Sequence, residues 1–278
     1  MQLGTLTVAC FLLLKETYGP RILAQLAAQQ SGKTGAQPCR SKYDKGQTRN
    51  QVLKTAFIRP VKMLTRSPIV ALLALYTSII NAYCTILFAT VGTVFENEYS
   101  FSVGEGGLAY FGLTVGFIIG QISVGAFSDR YVARMKAKHN GNIKPEHRLP
   151  PLILGSVLVP AGFLWYGWSA QTHAHWIVPI MGSSLVGIAS MFSYLPVQLY
   201  LVDTYTIFAA SAIASNSVVR SVCAALVPLG ADPLYGRLGY GWGNSVLAFI
   251  SLGFVPVAVA LLVFGERLRT SPRFQPNL

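Results

Sequence analysis

Residues 68–93 read PIVALLALYTSIINAYCTILFATVGT, an unbroken apolar run without one charged side chain. A helix needs about 20 such residues to cross roughly 30 Å of hydrocarbon, and this run is long enough. Lipid offers a backbone N–H or C=O no partner, so helix is the conformation the run dictates. Working outward, five further stretches meet or nearly meet the same requirement: Gly107 to Phe127, Leu152 to Trp168, Trp176 to Tyr200, Thr206 to Gly230 and Gly243 to Phe264. The expectation is an all-α membrane protein with six full spans. Pro160, Pro196, Pro228 and Pro256 lie inside these runs and are read as kinks, since membrane helices tolerate proline where neighbours satisfy the freed carbonyl.

Composition agrees. Hydrophobic residues make up 52% of the chain and charged ones 12%, about half the charged share of an ordinary soluble domain. The net charge of +12 is confined to hydrophilic segments between the apolar runs, which suits a membrane surface and argues against a nucleic-acid partner. Cys10, Cys39, Cys84 and Cys223 share no CxxC spacing, so neither a metal site nor a disulfide framework is indicated. No HExxH, intramembrane carboxylate pair or Ser/His/Asp set can be assembled. That argues against an enzyme, and no cofactor is implied.

The first 66 residues differ. Leu3 to Leu14 is apolar but only about half the length of a span, and it lacks the basic start and cleavage site of a signal peptide. Residues 1–20 are therefore read as the end of a truncated transmembrane helix. Residues 21–66 form a polar linker with short helical pieces near Ile22 to Gln29, residues 67–266 a six-helix bundle, and residues 267–278 a tail.

Orientation follows from the cations. Nine Lys and Arg from Lys33 to Arg66 precede the first full span, six from Arg130 to Arg148 lie between the second and third, and Arg267, Arg269 and Arg273 follow the sixth. The alternate loops carry Glu96, Glu98 and Glu105, then His173 and His175, then Asp232 with Arg237. By the positive-inside rule both ends of the six-span bundle are cytoplasmic. Trp165, Trp168, Trp176 and Trp242 all fall at span ends assigned to the outer interface, where an amphipathic indole is comfortable.

Gly112, Gly116 and Gly120 recur every four residues, placing three missing side chains on one helix face for close packing. Just beyond them the chain reads GQISVGAFSDRYVARMKAK, in which Gly125, Asp129 and Arg130, followed by Arg134, resemble the Gly-x-x-x-Asp-Arg cytoplasmic signature of the major facilitator superfamily. Val132 and Ala133 stand where the fuller signature has glycine and a cation. A glycine permits a close turn, and Asp129 can face a helix N-terminus whose dipole favours an anion, so the segment is a candidate gating motif. EHRLPP, HWIVPI, QLYLVDTYT, FAASAIASNSVVRS and GYGWGNSVLAFI also resemble stretches of fungal drug:proton antiporters of the multidrug and polyamine type, from about Val52 to Arg269. FLLLKETYGPRIL resembles the end of helix six in that family, so the six full spans become helices seven to twelve, a C-terminal half-bundle. The resemblance implies an efflux pump for small hydrophobic organic molecules such as drugs, toxins or secondary metabolites; the plasma membrane is the expected location, with a vacuolar one giving the same hydropathy and charge pattern. It implies alternating access with a complementary N-terminal six-helix bundle, and exchange for protons.

Charge at membrane depth is costly, and Arg220 is the residue that bears it, about 21 Å along its helix. It could contact a polar substrate group, lock the outer gate, or satisfy backbone carbonyls. Asn81, Tyr83, Gln121, Tyr194, Gln198 and Asn216 are further pathway candidates, with interhelical hydrogen bonding as the alternative role. Asp203 is expected in the turn between the fourth and fifth spans, capping the next helix. No Asp, Glu or His occurs at depth in the six runs, so a proton carrier is expected in the other half, or transport is not proton-coupled. A truncated non-functional or regulatory half-transporter, and a seven-helix receptor-like protein, are the competing readings.

Overall fold

The computed structural model describes Gly4, Ile22, Leu23, Leu26 and residues 49–138 and 144–270. Apart from Gly4, the expected helix end at 1–20 lies outside the described residues, as do most of the linker, Cys10, Cys39 and the tail from 271. The chain divides into two compact units, Met1–Ala56 and Phe57–Leu278. In the first, the described residues are helical.

The helices are α1 (Arg49–Arg66), α2 (Pro68–Tyr99), α3 (Val103–Lys138), α4 (Pro150–Gln171), α5 (Ile177–Tyr205), α6 (Ala209–Leu226), α7 (Ala231–Leu252) and α8 (Val255–Thr270). Short 3₁₀ turns occupy Pro145–Arg148, Thr206–Phe208 and Val227–Gly230, and the described residues contain no strand. Five stretches are long and apolar enough to cross a membrane: Pro68–Tyr99, Gly104–Lys138, Pro145–Gln171, Ile177–Tyr205 and Ala209–Arg267. The last contains 59 residues, roughly 90 Å of helix and far too much for one crossing, and it divides into α6, α7 and α8.

Three sequence expectations need correction. The end of the linker, Arg49–Arg66, is helix rather than loop. The expected sixth span is not one helix, because the chain turns at Gly253 and Phe254 between α7 and α8. Pro256 is the reason: it lacks an N–H and its ring clashes with the carbonyl four residues back, so α7 stops at Leu252 and α8 starts afresh with proline in its first turn. Pro228 likewise marks an end rather than a kink, since α6 closes at Leu226 and passes into a 3₁₀ turn. Pro160 and Pro196 do lie inside continuous helices, α4 and α5.

The start of α3 carries a signal the apolar count overlooked. Ser102 and Glu105 form a capping box, with the Ser102 N–H and hydroxyl donating to Glu105 Oε2 at 2.9 and 2.8 Å. The helix thus begins before the expected Gly107, and it runs on to Lys138 rather than ending near Phe127.

α2 lies beside α6, α3 beside α5, and α4 between α5 and α7. Tyr76, Phe95, Phe163, Tyr166 and Tyr200 fill the buried centre. The α3–α5 crossing is set by glycine. A Cβ at Gly112 would stand 2.6 Å from the Ile180 carbonyl oxygen, one at Gly116 would collide with the Ser184 backbone, and one at Gly120 would come within 2.9 Å of Ile188 Cα. The two backbones touch where side chains are missing, and the Ser184 hydroxyl uses that proximity to donate to the Gly112 carbonyl at 2.8 Å.

Gly116→Leu is expected to force α3 off α5 and cost about 3 kcal/mol, read as a lowered unfolding temperature in detergent. Gly107→Ala, where a Cβ meets nothing within 4 Å, is the matched control and should unfold with the parent.

Candidate functional site

Three regions concentrate polar chemistry in this apolar bundle. The first is a cavity of about 240 Å³ walled by α2, α3, α5 and α6. Thr77, Asn81, Cys84, Ser190, Tyr194 and Arg220 supply its polar side, and Ile80, Phe88 and Phe117 much of the rest. The Arg220 guanidinium carbon stands 4.9 Å from the centre of the Tyr194 ring, a cation–π contact that replaces some of the hydration lost at this depth. Among the described residues no carboxylate pairs with Arg220. Behind the wall Thr77 Oγ1 donates to Asn216 Oδ1 at 2.6 Å, tying α2 to α6, while Asn216 Nδ2 is buried without a hydrogen-bond partner. Cys84 Sγ and Ser190 Oγ lie 3.0 Å apart across α2 and α5, and Tyr76 OH meets Ser193 Oγ at 3.2 Å.

Of the sequence-predicted pathway residues, the cavity thus gathers Asn81, Tyr194 and Arg220, with Asn216 one bond behind. Tyr83 does not join them: it is buried edge-on against Phe163 of α4, with ring centres 5.5 Å apart. Gln121 is exposed on α3, and Gln198 is half-buried with its Nε2 unpartnered.

The second region is the end of the bundle where α3 and α5 finish and α4 begins. Arg148, immediately before α4, donates from Nε to Asp203 Oδ2 at 3.1 Å and from Nη1 to Asp129 Oδ1 at 3.4 Å and Ser128 Oγ at 3.5 Å. Beside it Arg269 Nε reaches Glu146 Oε1 at 2.9 Å, and Lys144 reaches Glu266 at 2.8 Å. Burial works against the charge of Arg269, but the Glu146 carboxylate more than offsets this and raises the guanidinium above its ordinary range. Ser67 and Tyr205 close the set at 2.8 Å. One short connection therefore binds the ends of α3, α5 and α8 together.

These contacts revise the reading of the signature. α3 is continuous through Gly125 and Asp129, so no turn forms there, and a Cβ at Gly125 would meet nothing within 4 Å. Asp129 meets a guanidinium rather than bare helix N–H groups. Arg130 and Arg134 are exposed, with no ion pair among the described residues. Asp203 caps nothing: it lies inside α5, whose helical pattern runs past it to Tyr205, and its carboxylate is held by Arg148. Arg148 and Glu146 were legible only as part of EHRLPP, because a charge count cannot tell which cation of a basic loop becomes an anchor.

The third region is the opposite end, where aromatic rings border an open cavity of about 580 Å³. Glu98, Gln171, His173, Asp232 and Tyr240 line it, with His173 Nδ1 3.2 Å from Glu98 Oε2. Trp168 and Trp242 stack edge to face at 5.7 Å, Trp168 Nε1 donates to Ser245 Oγ at 3.1 Å, and Trp176 packs on Phe101. Gly239, at φ +73, bends α7 so that the Gly241 N–H reaches Gln171 Oε1 at 2.6 Å.

Removing Arg269 by Arg269→Ala leaves a buried carboxylate alone and is expected to cost about 3 kcal/mol. Asp129 is 80% exposed, so Asp129→Asn should change stability by less than about 0.5 kcal/mol, and Asp203→Asn should fall between them. Thermal unfolding of the three purified variants in one detergent tests that order.

A family model described as Major Facilitator Superfamily matches residues 3–228. The MFS-type transporter penM of Penicillium rubens is 45% identical over 275 residues, covering 99% of this chain and 54% of the relative. The MFS-type transporter tndD of Aspergillus flavipes is 43% identical over 271 residues, 96% of this chain and 50% of its own length. The efflux pump radE of Floropilus chiversii is 38% identical over 276 residues, 99% and 51% respectively. The chain spans about half the length of the curated relatives it matches. No solved structure matches it.

Proposed function

We propose, from the premise that this chain belongs to the Major Facilitator Superfamily and is an integral multi-pass membrane protein, that it is the C-terminal six-helix half of an efflux transporter for small organic molecules. Its relatives' names as MFS-type transporters and an efflux pump support the class. The cargo is small and hydrophobic: drugs, toxins or secondary metabolites. A complementary N-terminal six-helix bundle supplies the facing wall, and the two halves expose the cavity to alternate sides of the membrane.

The observation that carries this reading is Arg220 held over the Tyr194 ring in the 240 Å³ cavity. An uncompensated cation at membrane depth is expensive unless something uses it. Aliphatic and aromatic groups on the same wall accept an apolar body, while Arg220 meets a carbonyl, phenol or carboxylate on the cargo. No Asp, Glu or His is among the residues that line the cavity, so we assign proton exchange to the partner bundle. The basic, ion-paired end faces the cytoplasm and the tryptophan end the outside, by the positive-inside rule and the preference of indole for the interface. The network around Arg148 then closes the cytoplasmic side, and the plasma membrane is the site of action.

Co-expression with an N-terminal half from a close relative should restore export of an acceptor-bearing substrate from inside-out vesicles. Arg220→Gln should reduce that export by about 10- to 100-fold, the value of one hydrogen bond to a charged group, with unchanged protein in the membrane. Arg220→Lys should retain part of it. Equal export by the parent and Arg220→Gln would overturn the assignment of Arg220, and no export by any pairing would overturn the transporter reading.

A further inference from the structure

The sign of the charge in the 240 Å³ cavity narrows the cargo further than its shape does. Arg220 is half-buried inside α6, eleven residues past Ala209 and six before Leu226. In the described bundle the eight carboxylates from Glu96 to Glu266 lie at the two ends, four at each, and none pairs with it. A guanidinium keeps its proton in a protein, so Arg220 cannot become neutral by releasing one, as a lysine at this depth could. Among the described residues its charge is met by the face of Tyr194, and a ring carries no net charge. Neutralisation is left to a counter-ion.

The hydrogen bonds around it agree. Wall hydroxyls are committed within the protein: Ser190 donates to the Val186 carbonyl at 2.7 Å, Ser193 to Ala189 at 3.1 Å and Thr77 to Asn216 Oδ1 at 2.6 Å. That last bond leaves the positive N–H end of the fully buried Asn216 amide unpaired, one turn before Arg220 on the same face of α6. Two neighbouring donors, one fully charged, and no acceptor of opposite charge suit a carboxylate. A neutral acceptor would leave the charge in place, and an amine would add to it. The attraction between opposite charges is about fourfold stronger at an effective dielectric constant of about 20 than in water at about 80. The space is also smaller than the roughly 300–1,000 Å³ that holds a whole drug-sized ligand, so it takes one end of a molecule. Phe88 and Phe117, with ring centres 6.1 Å apart, border it on the apolar side.

We infer that the cavity takes organic anions, the cargo entering as a carboxylate paired with Arg220 while its apolar body lies on Phe88 and Phe117. The inference rests on the cavity being the cargo site of the proposed function, and adds the sign of the cargo's charge. The filled site is neutral and the empty one carries a full positive charge, so the filled site is the cheaper one to hold in hydrocarbon. Neutral molecules of the same skeleton gain no such advantage.

The test uses the whole chain in phosphatidylcholine nanodiscs at pH 7, alone and paired with the N-terminal half of a close relative. Tritiated 4-phenylbutyrate is the probe and empty discs the blank, while 4-phenylbutyramide and 4-phenylbutylamine, built on the same skeleton, compete for it. A charged acceptor binds a cation about tenfold better than a neutral one, so the amide should need about ten times the concentration of unlabelled acid, and the amine more. Arg220→Gln should bring acid and amide together and Arg220→Lys should keep them apart, with unfolding temperatures equal to the parent's. Competition by the amide or the amine as strong as by the acid, or no retention of the acid in either form, would overturn the inference. So would an acid preference that disappears on pairing, since the partner bundle would then supply the carboxylate. Export of neutral cargo by paired halves that show no acid preference would sink this inference alone, whereas acid binding without export in any pairing would sink the transporter reading alone.

Discussion

A backbone in hydrocarbon has no solvent to bond with, and the architecture follows from that constraint. It makes every long apolar run a helix and removes the ordinary hydrophobic drive for helices to associate, since lipid tails are as apolar as leucine. Association must come from contact between backbones, and the α3–α5 crossing at Gly112, Gly116 and Gly120 is where this chain achieves it. Where helical bonding is interrupted, a replacement is close by: the Phe254 N–H finds the carbonyl of Ser251, three residues back, at 3.0 Å, and the Gly241 N–H past the Gly239 bend finds a glutamine.

The same constraint separates what could be read in the sequence from what could not. Spans are legible because hydropathy is summed over many residues, and the glycine face because period four survives as spacing. The cavity was half legible. Arg220 stands out by charge alone, and Tyr194 and Asn81 by polarity, but nothing in the sequence separates Tyr83 from Tyr194. Which tyrosine faces the cavity depends on helix rotation, and that is decided by contacts such as Phe163 against Tyr83. Cys84, Ser190 and Thr77 passed unnoticed because small hydroxyls and thiols in an apolar run read as packing until a partner comes within bonding distance.

At the ion-paired end the failure was of a different kind. Charge counting placed all the cations of the 130–148 region together, whereas the structure singles out Arg148, 20% exposed, as the one holding two carboxylates from two helices. Asp203 looked like a cap because a turn was placed too early, and a helix that persists for two further residues turns a capping group into an ion-pair partner. Proline misled in the opposite direction. Pro160 and Pro196 were absorbed by neighbours while Pro228 and Pro256 broke their helices, and identical residues give no hint of which will occur.

The position of Arg220 over the Tyr194 ring has a geometric consequence beyond its charge. A guanidinium is a flat group with donors only around its rim, and the Tyr194 ring meets its charge with a π-face that accepts no conventional hydrogen bond. In the efflux reading proposed above, a cargo acceptor would be selected by its angle of approach to that rim and not by its bulk. The apolar part of the wall, Ile80, Phe88 and Phe117, imposes no comparable direction. Tolerance of varied carbon skeletons and insistence on one well-placed oxygen would then coexist in a single pocket.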